Sequence, residues 1–268
     1  MQTKSKFQGK PLVEVPKAIP YVDFLGKDFG REVDQEARSR HPNLPNISNI
    51  NYQDGVVQGS NPFYVVAVNE VLRQEGLRTA TQADLEKAIR LGVLDLNSYE
   101  DSALVLRSEG DSYQPNDHLS RSLHKQVKAR DPKAKYPVMI PLNGLELQAD
   151  QDSSYGLSFK LREDSEIIYA PILTKDGNFT MRDIDEKTGL PSKLINSECL
   201  EISTKQDSLS RLIWGCGWKY YLSSNGDNLG RSRSDGRVVV VRDPVAPEYL
   251  DAYIAKLKQK YKELKKKH

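Results

Sequence analysis

The run Gly236-Arg237-Val238-Val239-Val240-Val241 constrains the fold more than any other stretch of this chain. Four consecutive β-branched residues suit a pleated backbone. Because no polar residue alternates with them, neither face is left for water. The run therefore predicts a central strand covered on both sides. Such a strand must be packed between other apolar layers, and 268 residues are enough to build them.

The rest of the chain divides into a helix-patterned first half and a strand-patterned second half. Residues 1–60 contain Pro11, Pro16, Pro20, Pro42 and Pro45, which disfavour long regular elements. They predict a proline-containing N-terminal arm, either extended and packed on the rest or a loosely ordered lead. A helix is expected after Asn61-Pro62, with Asn61 as N-cap, Pro62 in the first turn, Phe63, Val66, Ala67 and Val71 inward, and Gly76 at the stop. A second begins near Thr79 or Thr81, where Thr79 and Gln82 have capping-box spacing. A third is expected over Asn116 to Arg130, with Leu119, Leu123 and Val127 on one face. Strands are predicted at 103–106, 138–140, 145–147, 157–161 and 167–169, with turn signals at Asp176-Gly177 and Asn225-Gly226. Residues 244–268 read as a basic C-terminal helix whose stripe Leu250, Ile254, Leu257, Tyr261 and Leu264 needs a partner surface. The fold class expected is α+β, without a fixed-period repeat.

Composition excludes several classes. No apolar run approaches the roughly 18–20 residues of a membrane helix. The opening Met1-Gln2-Thr3-Lys4-Ser5-Lys6 is followed by no apolar stretch of a signal peptide, so the cytoplasm is the default expectation. Cys199 and Cys216 are the only cysteines, too few for a disulfide framework and without metal-ligand spacing. Net charge is +2, but residues 229–268 carry 11 Lys and Arg against 5 Asp and Glu. The positive balance thus belongs to the tail.

Four groups could carry chemistry. Asp111, Asp117, His118 and His124 near the start of the third helix could bind metal or relay protons. His118 and His124 are six residues apart, which places them poorly on one helical face. A capped, solvated helix start explains the group as well. Gly226 to Arg231 could cradle phosphate through backbone N–H groups, yet it has neither a Walker ending nor a dinucleotide fingerprint. Lys256, Lys258, Lys260, Lys262, Lys265, Lys266 and Lys267 could contact nucleic-acid phosphates, although no base-reading motif accompanies them. Cys216 could act as a nucleophile but has no His nearby in sequence to activate it. The expectation is a chain without catalytic residues, metal or cofactor; nucleic-acid binding through the terminal helix is the alternative function.

Ile213 to Asp235 is different in kind. Seventeen of its 23 residues are Asn, Asp, Ser, Gly, Tyr, Cys or Arg, against 88 of the other 245. It contains no Glu, Gln or Met. Tyr and Trp supply rigid contact area, and Ser, Gly and Asn supply adaptable hydrogen bonds, as in antibody binding loops. A loop of this length is functional or disordered, and its aromatics argue against disorder. The segment reads as a displayed binding surface between Leu209-Ser210-Arg211-Leu212 and the valine strand.

The segment, its composition and its abrupt end at Gly236 to Val241 resemble the variable region of diversity-generating retroelement target proteins, archaeal ones in particular. In that family a reverse transcriptase rewrites template adenines. An Asn codon altered at its first two bases can then encode Asn, Asp, Ser, Gly, Tyr, Cys or Arg among others, but never Glu, Gln, Lys, Met or Trp. Trp214, Trp218 and Lys219 depart from that set and are scaffold or come from other codons. The resemblance covers Leu209 to Val241 only. It implies a ligand-binding variable protein with a C-type-lectin-like domain over residues 61–243, built from a small twisted antiparallel sheet and flanking helices. It implies ligand contact by Ile213, Gly215, Cys216, Gly217, Tyr220, Tyr221, Ser223, Asn225, Gly226, Asp227, Asn228, Arg231, Arg233, Ser234 and Asp235, with Arg237 and the valines as scaffold. The ligand it implies is a protein or cell-surface molecule. No calcium-site spacing is present, and oligomeric state is left open.

Overall fold

The computed structural model describes residues 21–94, 98–196, 200–205, 207–216 and 220–242. The first part runs β1 (Tyr21–Phe24), α1 (Lys27–Arg40), β2 (Asn51–Gln53), β3 (Val56–Gln58), α2 (Pro62–Leu72), β4 (Arg78–Thr79) and α3 (Gln82–Arg90). The middle runs β5 (Tyr99–Leu106), α4 (Gln114–Arg130), β6 (Val138–Pro141), β7 (Leu145–Ala149), β8 (Leu157–Leu161) and β9 (Ile168–Tyr169). The last part runs β10 (Gly177–Phe179), β11 (Leu200–Thr204), β12 (Leu209–Cys216), β13 (Tyr220–Gly226), β14 (Gly236–Arg237) and β15 (Val239–Arg242). The mixture of helices and strands is that of an α+β protein.

The main sheet has eight strands in the order β10-β11-β13-β12-β5-β6-β9, with β14 paired to β5 off that path. It is larger than the small sheet expected, and it is mixed: β11 runs parallel to β13, and β14 parallel to β5. The β14 pairing comes from a long return of the chain and the β11 pairing from a strand that skips its neighbour β12, and hydrophobic periodicity reports neither. A second sheet, β1-β15-β4, is antiparallel, and β2-β3 and β7-β8 form separate hairpins.

The valine run behaves as its chemistry requires. Val240 packs in one hydrophobic core with α1, α2 and α4, whereas Val239 and Val241 pack in a second core with α3 and the far face of the main sheet. One strand therefore separates two cores. The expected continuous strand is broken at Val238, so that Gly236–Arg237 joins the main sheet and Val239–Arg242 becomes the middle strand of the smaller one. Carbonyls of this segment accept from Leu25 N (2.8 Å, at Val238), Gly59 N (2.8 Å, at Gly236) and Ala80 N (2.9 Å, at Val239).

Local signals explain most helices. Asn61 caps α2 by accepting from Tyr64 N at 2.9 Å. In α3 the cap is Thr81 with Asp84 as its reciprocal partner; Thr79 belongs to β4, where its N–H donates to Asn69 Oδ1. In α4, Leu119, Leu123 and Val127 are fully buried, as their spacing predicts. Residues 21–60 correct the N-terminal arm: they hold β1, the 14-residue α1, β2 and β3, and Leu25, Val33 and Ala37 are core residues. Pro20 and Pro42 bracket α1 instead of interrupting it. Asp34 ties α1 to α2 by accepting from Tyr64 Oη (2.7 Å), and within α1 it accepts from Arg38 Nε (2.9 Å). Residues 1–20 and the basic C-terminal helix expected over 244–268 lie outside the described residues.

Candidate binding surface

The segment 213–235 is the closed end of an interior β-hairpin followed by a loop, not one continuous loop. Residues 213–216 finish β12, 220–226 form β13, and 227–235 return the chain to β14. Side chains alternate between the faces of these strands. Trp214 and Leu222 point into the second core, where the Trp214 ring lies 6.4 Å from that of Phe179. Ile213, Gly215, Tyr221, Ser223 and Asn225 share the opposite face. β11 extends this face, with Glu201 beside Tyr221 and Ser203 beside Ser223. Towards Leu104, Leu106 and Leu209 the same face is roofed by helices and belongs to the first core. Its other end carries the exposed Glu201 and Asn225 and the half-buried Ile213, Ser203 and Tyr221.

A buried ion pair marks where the core stops and the open floor begins. Arg211 Nε and Nη2 both donate to Asp101, at 2.6 Å each, and the two side chains are 4% and 0% exposed. Ser60 Oγ donates to the same carboxylate at 2.7 Å. Burial raises the Asp101 carboxyl above the ordinary range, against the opposing pull of Arg211 and Ser60. On the neighbouring position, Glu100 faces away from this pair and is pushed up to about 7 by burial, with a bond from Ser98 Oγ pulling the other way.

The loop 227–235 is fastened to this boundary through its main chain. Arg211 Nη1 donates to Arg231 O at 2.6 Å. Asn116 Nδ2 donates to Asp227 O at 2.6 Å, and Asn46 Nδ2 to Gly230 O at 2.5 Å. Tyr99 Oη accepts from Arg233 N at 3.1 Å, and Tyr99 N donates to Asp235 O at 3.1 Å. The groups that hold the loop thus come largely from outside it. Leu229, fully buried in the first core, is its apolar anchor. Arg231, Arg233 and Ser234 are exposed, and Asp227, Asn228 and Asp235 are half-exposed. Fixed backbone with outward polar side chains is the arrangement that tolerates side-chain exchange.

Not every candidate residue belongs to the surface. Gly215 and Ser223 are buried and are removed from direct contact: the Tyr221 ring lies across Gly215, where a Cβ would come within 2.4 Å of it, and Ser223 Oγ is spent on Asn225 Oδ1 at 2.7 Å. Gly226 packs on the Arg211 stem, which a Cβ would meet at 2.9 Å. Asp227 is ion-paired with Lys205 at 2.9 Å and Asp235 with Arg233 at 2.9 Å. Gly217 and the side chains of Cys216 and Tyr220 lie outside the described residues, as do Trp218, Lys219 and the lysines of the tail. Arg237 is half-buried and donates to Ser234 O and Gly236 O at 2.7 Å each, so it acts as scaffold.

Among the other candidate chemistries, Asp111 and Asp117 stay together, Asp111 N donating to Asp117 Oδ1 at 3.1 Å, but the two histidines have separate partners. His118 pairs with Asp150 at 2.9 Å, Asp117 with Arg121, and His124 stacks on Tyr136 with centroids 5.0 Å apart. No group of three or more metal-ligating side chains occurs among the described residues. In 226–231 the N–H groups of Asn228 and Gly230 are taken by Asp227 Oδ1 (2.8 Å) and Asn228 Oδ1 (3.1 Å), so they do not form an anion cradle. Sequence reasoning missed Asn116, Tyr99 and Asp101, because a residue that holds a distant loop carries no local pattern. Among the described residues no helix is long and apolar enough to cross a membrane. Comparison with protein-family models gives no match for this chain, and comparison with curated proteins and with solved structures gives none either.

Proposed function

We propose that this chain is a ligand-binding variable protein of a diversity-generating retroelement, carrying its diversified side chains on a C-type-lectin-like scaffold. The observation that carries the reading is the division of labour in 227–235. The carbonyls of Asp227, Gly230 and Arg231 and the N–H of Arg233 are held by Asn116, Asn46, Arg211 and Tyr99 in that order, while Arg231, Arg233 and Ser234 are exposed. A loop built this way keeps its course when its outward residues change, which is the property a rewritten segment requires. The skew of 213–235 towards residue types reachable from Asn codons supports the same reading. In this reading the protein binds a protein or cell-surface molecule and performs no catalysis.

The experiment is to sequence the DNA flanking the gene. The expected result is a near-copy of the codons for 209–241 that differs mainly at adenines, close to a reverse transcriptase gene. Its mismatches should fall on codons of outward positions such as 225, 231 and 233 and spare Leu229 and Val238 to Val241. Absence of any such copy, or mismatches concentrated on the buried positions, overturns the proposal.

A further inference from the structure

We infer that β11, which lies outside the variable-looking segment, forms a constant half of the binding surface and that the surface takes a folded protein face of complementary charge. The inference rests on the display reading above and adds residues that composition does not mark. Because β11 runs parallel to β13, Glu201 stands beside Tyr221, and Ser203 beside Ser223. Ile202 and Leu222, the residues between, point into the second core, so Glu201 and Ser203 face the same side as Tyr221. Ser203 is joined to the segment directly: its Oγ donates to Ser223 Oγ and accepts from Asn225 Nδ2, at 3.3 Å each. Across three strands this floor is roughly 10 Å wide, too narrow for a partner to cover β12 and β13 without meeting β11.

The charges on the two sides of the floor are opposite. Asp227 is neutralised by Lys205 from the β11 side, and Asp235 by Arg233. Glu201 on β11 and Arg231 on the loop make no ion pair among the described residues, and both are exposed. In the order β11-β13-β12 the half-buried Tyr221 and Ile213 stand on β13 and β12, and the Arg231 main chain is tied to β12 through Arg211. An apolar centre with a charge of each sign at its rim is the anatomy of a protein–protein contact. The matching partner carries an ammonium or guanidinium to meet Glu201 and a carboxylate to meet Arg231. Because Glu201 lies outside the segment, its negative charge is a constant of the surface, whereas the positive charge at 231 belongs to the segment.

The test uses the full chain, displayed on cells, with positions 225, 233 and 234 randomised, Arg231 kept, and ubiquitin as the probe. Clones that bind ubiquitin are then given Glu201→Lys, Ser203→Trp or, as a control on the distant hairpin, Lys160→Ala. The expected result is a loss of ten-fold or more in affinity for Glu201→Lys and Ser203→Trp in most clones, with unchanged thermal midpoints and no loss for Lys160→Ala. Affinities that stay within two-fold for both β11 variants in every clone overturn the inference while leaving the display reading standing. A library that yields folded clones and no binder overturns the display reading, and the inference with it.

Discussion

Replacing Arg211 by Met should be the most informative single change in this molecule. The guanidinium is 4% exposed and meets a carboxylate that is 0% exposed, so neither charge has water to fall back on. Without it, Asp101 keeps the Ser60 hydroxyl, and Arg231 O loses the donor that ties the loop to the sheet. Leaving one buried charge uncompensated costs about 3–5 kcal/mol. A chain of this size has a urea m-value of about 3 kcal/mol per molar. The unfolding midpoint should therefore fall by about 1 to 1.7 M urea. The double variant Asp101→Leu with Arg211→Met should be more stable than Arg211→Met alone, because it buries no charge. The pH dependence follows in sign. Without Arg211 the folded-state affinity of Asp101 for its proton rises further, so the defect should be small in acid and grow as pH increases. Hydrogen exchange at Arg233 N, which donates to Tyr99 Oη at the same boundary, should accelerate. A midpoint shift below about 0.3 M urea, with protection at Arg233 N unchanged, would refute the argument that this pair holds the loop.

Other consequences are open to simple measurement. Burial pushes Glu100 from its ordinary value of 4.5 up to about 7, so its own contribution to stability should be greatest below pH 4.5 and fall by about 3 kcal/mol as pH rises to 7; Glu100→Gln should remove that component from the pH dependence of denaturation curves. Asn225→Ala, Arg231→Ala and Ser234→Ala should each shift stability by no more than ~0.5 kcal/mol, whereas Val240→Ala should cost ~1–3 kcal/mol. Uniformly large losses at the exposed positions would sink the idea of a displayed surface. Asn116→Ala removes donors from Leu209 O and Asp227 O and an acceptor from Tyr155 Oη, and should cost about 1–3 kcal/mol per carbonyl left unsatisfied.

What was legible in the sequence is what local physics controls. Asn61 and Pro62 announced a helix start, three apolar residues four apart announced the inner face of α4, and four valines announced a strand with no wet side. The helix α1 was illegible because its flanking prolines mimic an interrupted segment and its burial rests on few residues, Gly30, Val33, Asp34 and Ala37. The sequence leaves the start of α3 between Thr79 and Thr81 and puts the capping box on Thr79 and Gln82 instead of Thr81 and Asp84, because the two threonines are equivalent in sequence and only the strand that claims Thr79 separates them. At the surface, composition marked the outward residues but not the order in which strands lie. Nothing in the chain between 200 and 205 says that it will run beside β13. Gly215 and Ser223 shared the composition of their neighbours and yet are covered, because alternation along a strand and the reach of the Tyr221 ring decide exposure residue by residue.

The pairing of β1 with β15 has a temporal meaning. Tyr21 meets Arg242 and Phe24 meets Val239, so the earliest described strand waits for the latest one. During synthesis both hydrophobic cores stay open on the side that β15 will cover, and the segment 213–235 emerges from the ribosome before that closing strand. A version of the segment that blocks the return of the chain to β14 would leave β15 without its place and both cores exposed to chaperones and proteases. Closure of β15 thus depends on whether the segment 213–235 lets the chain reach β14.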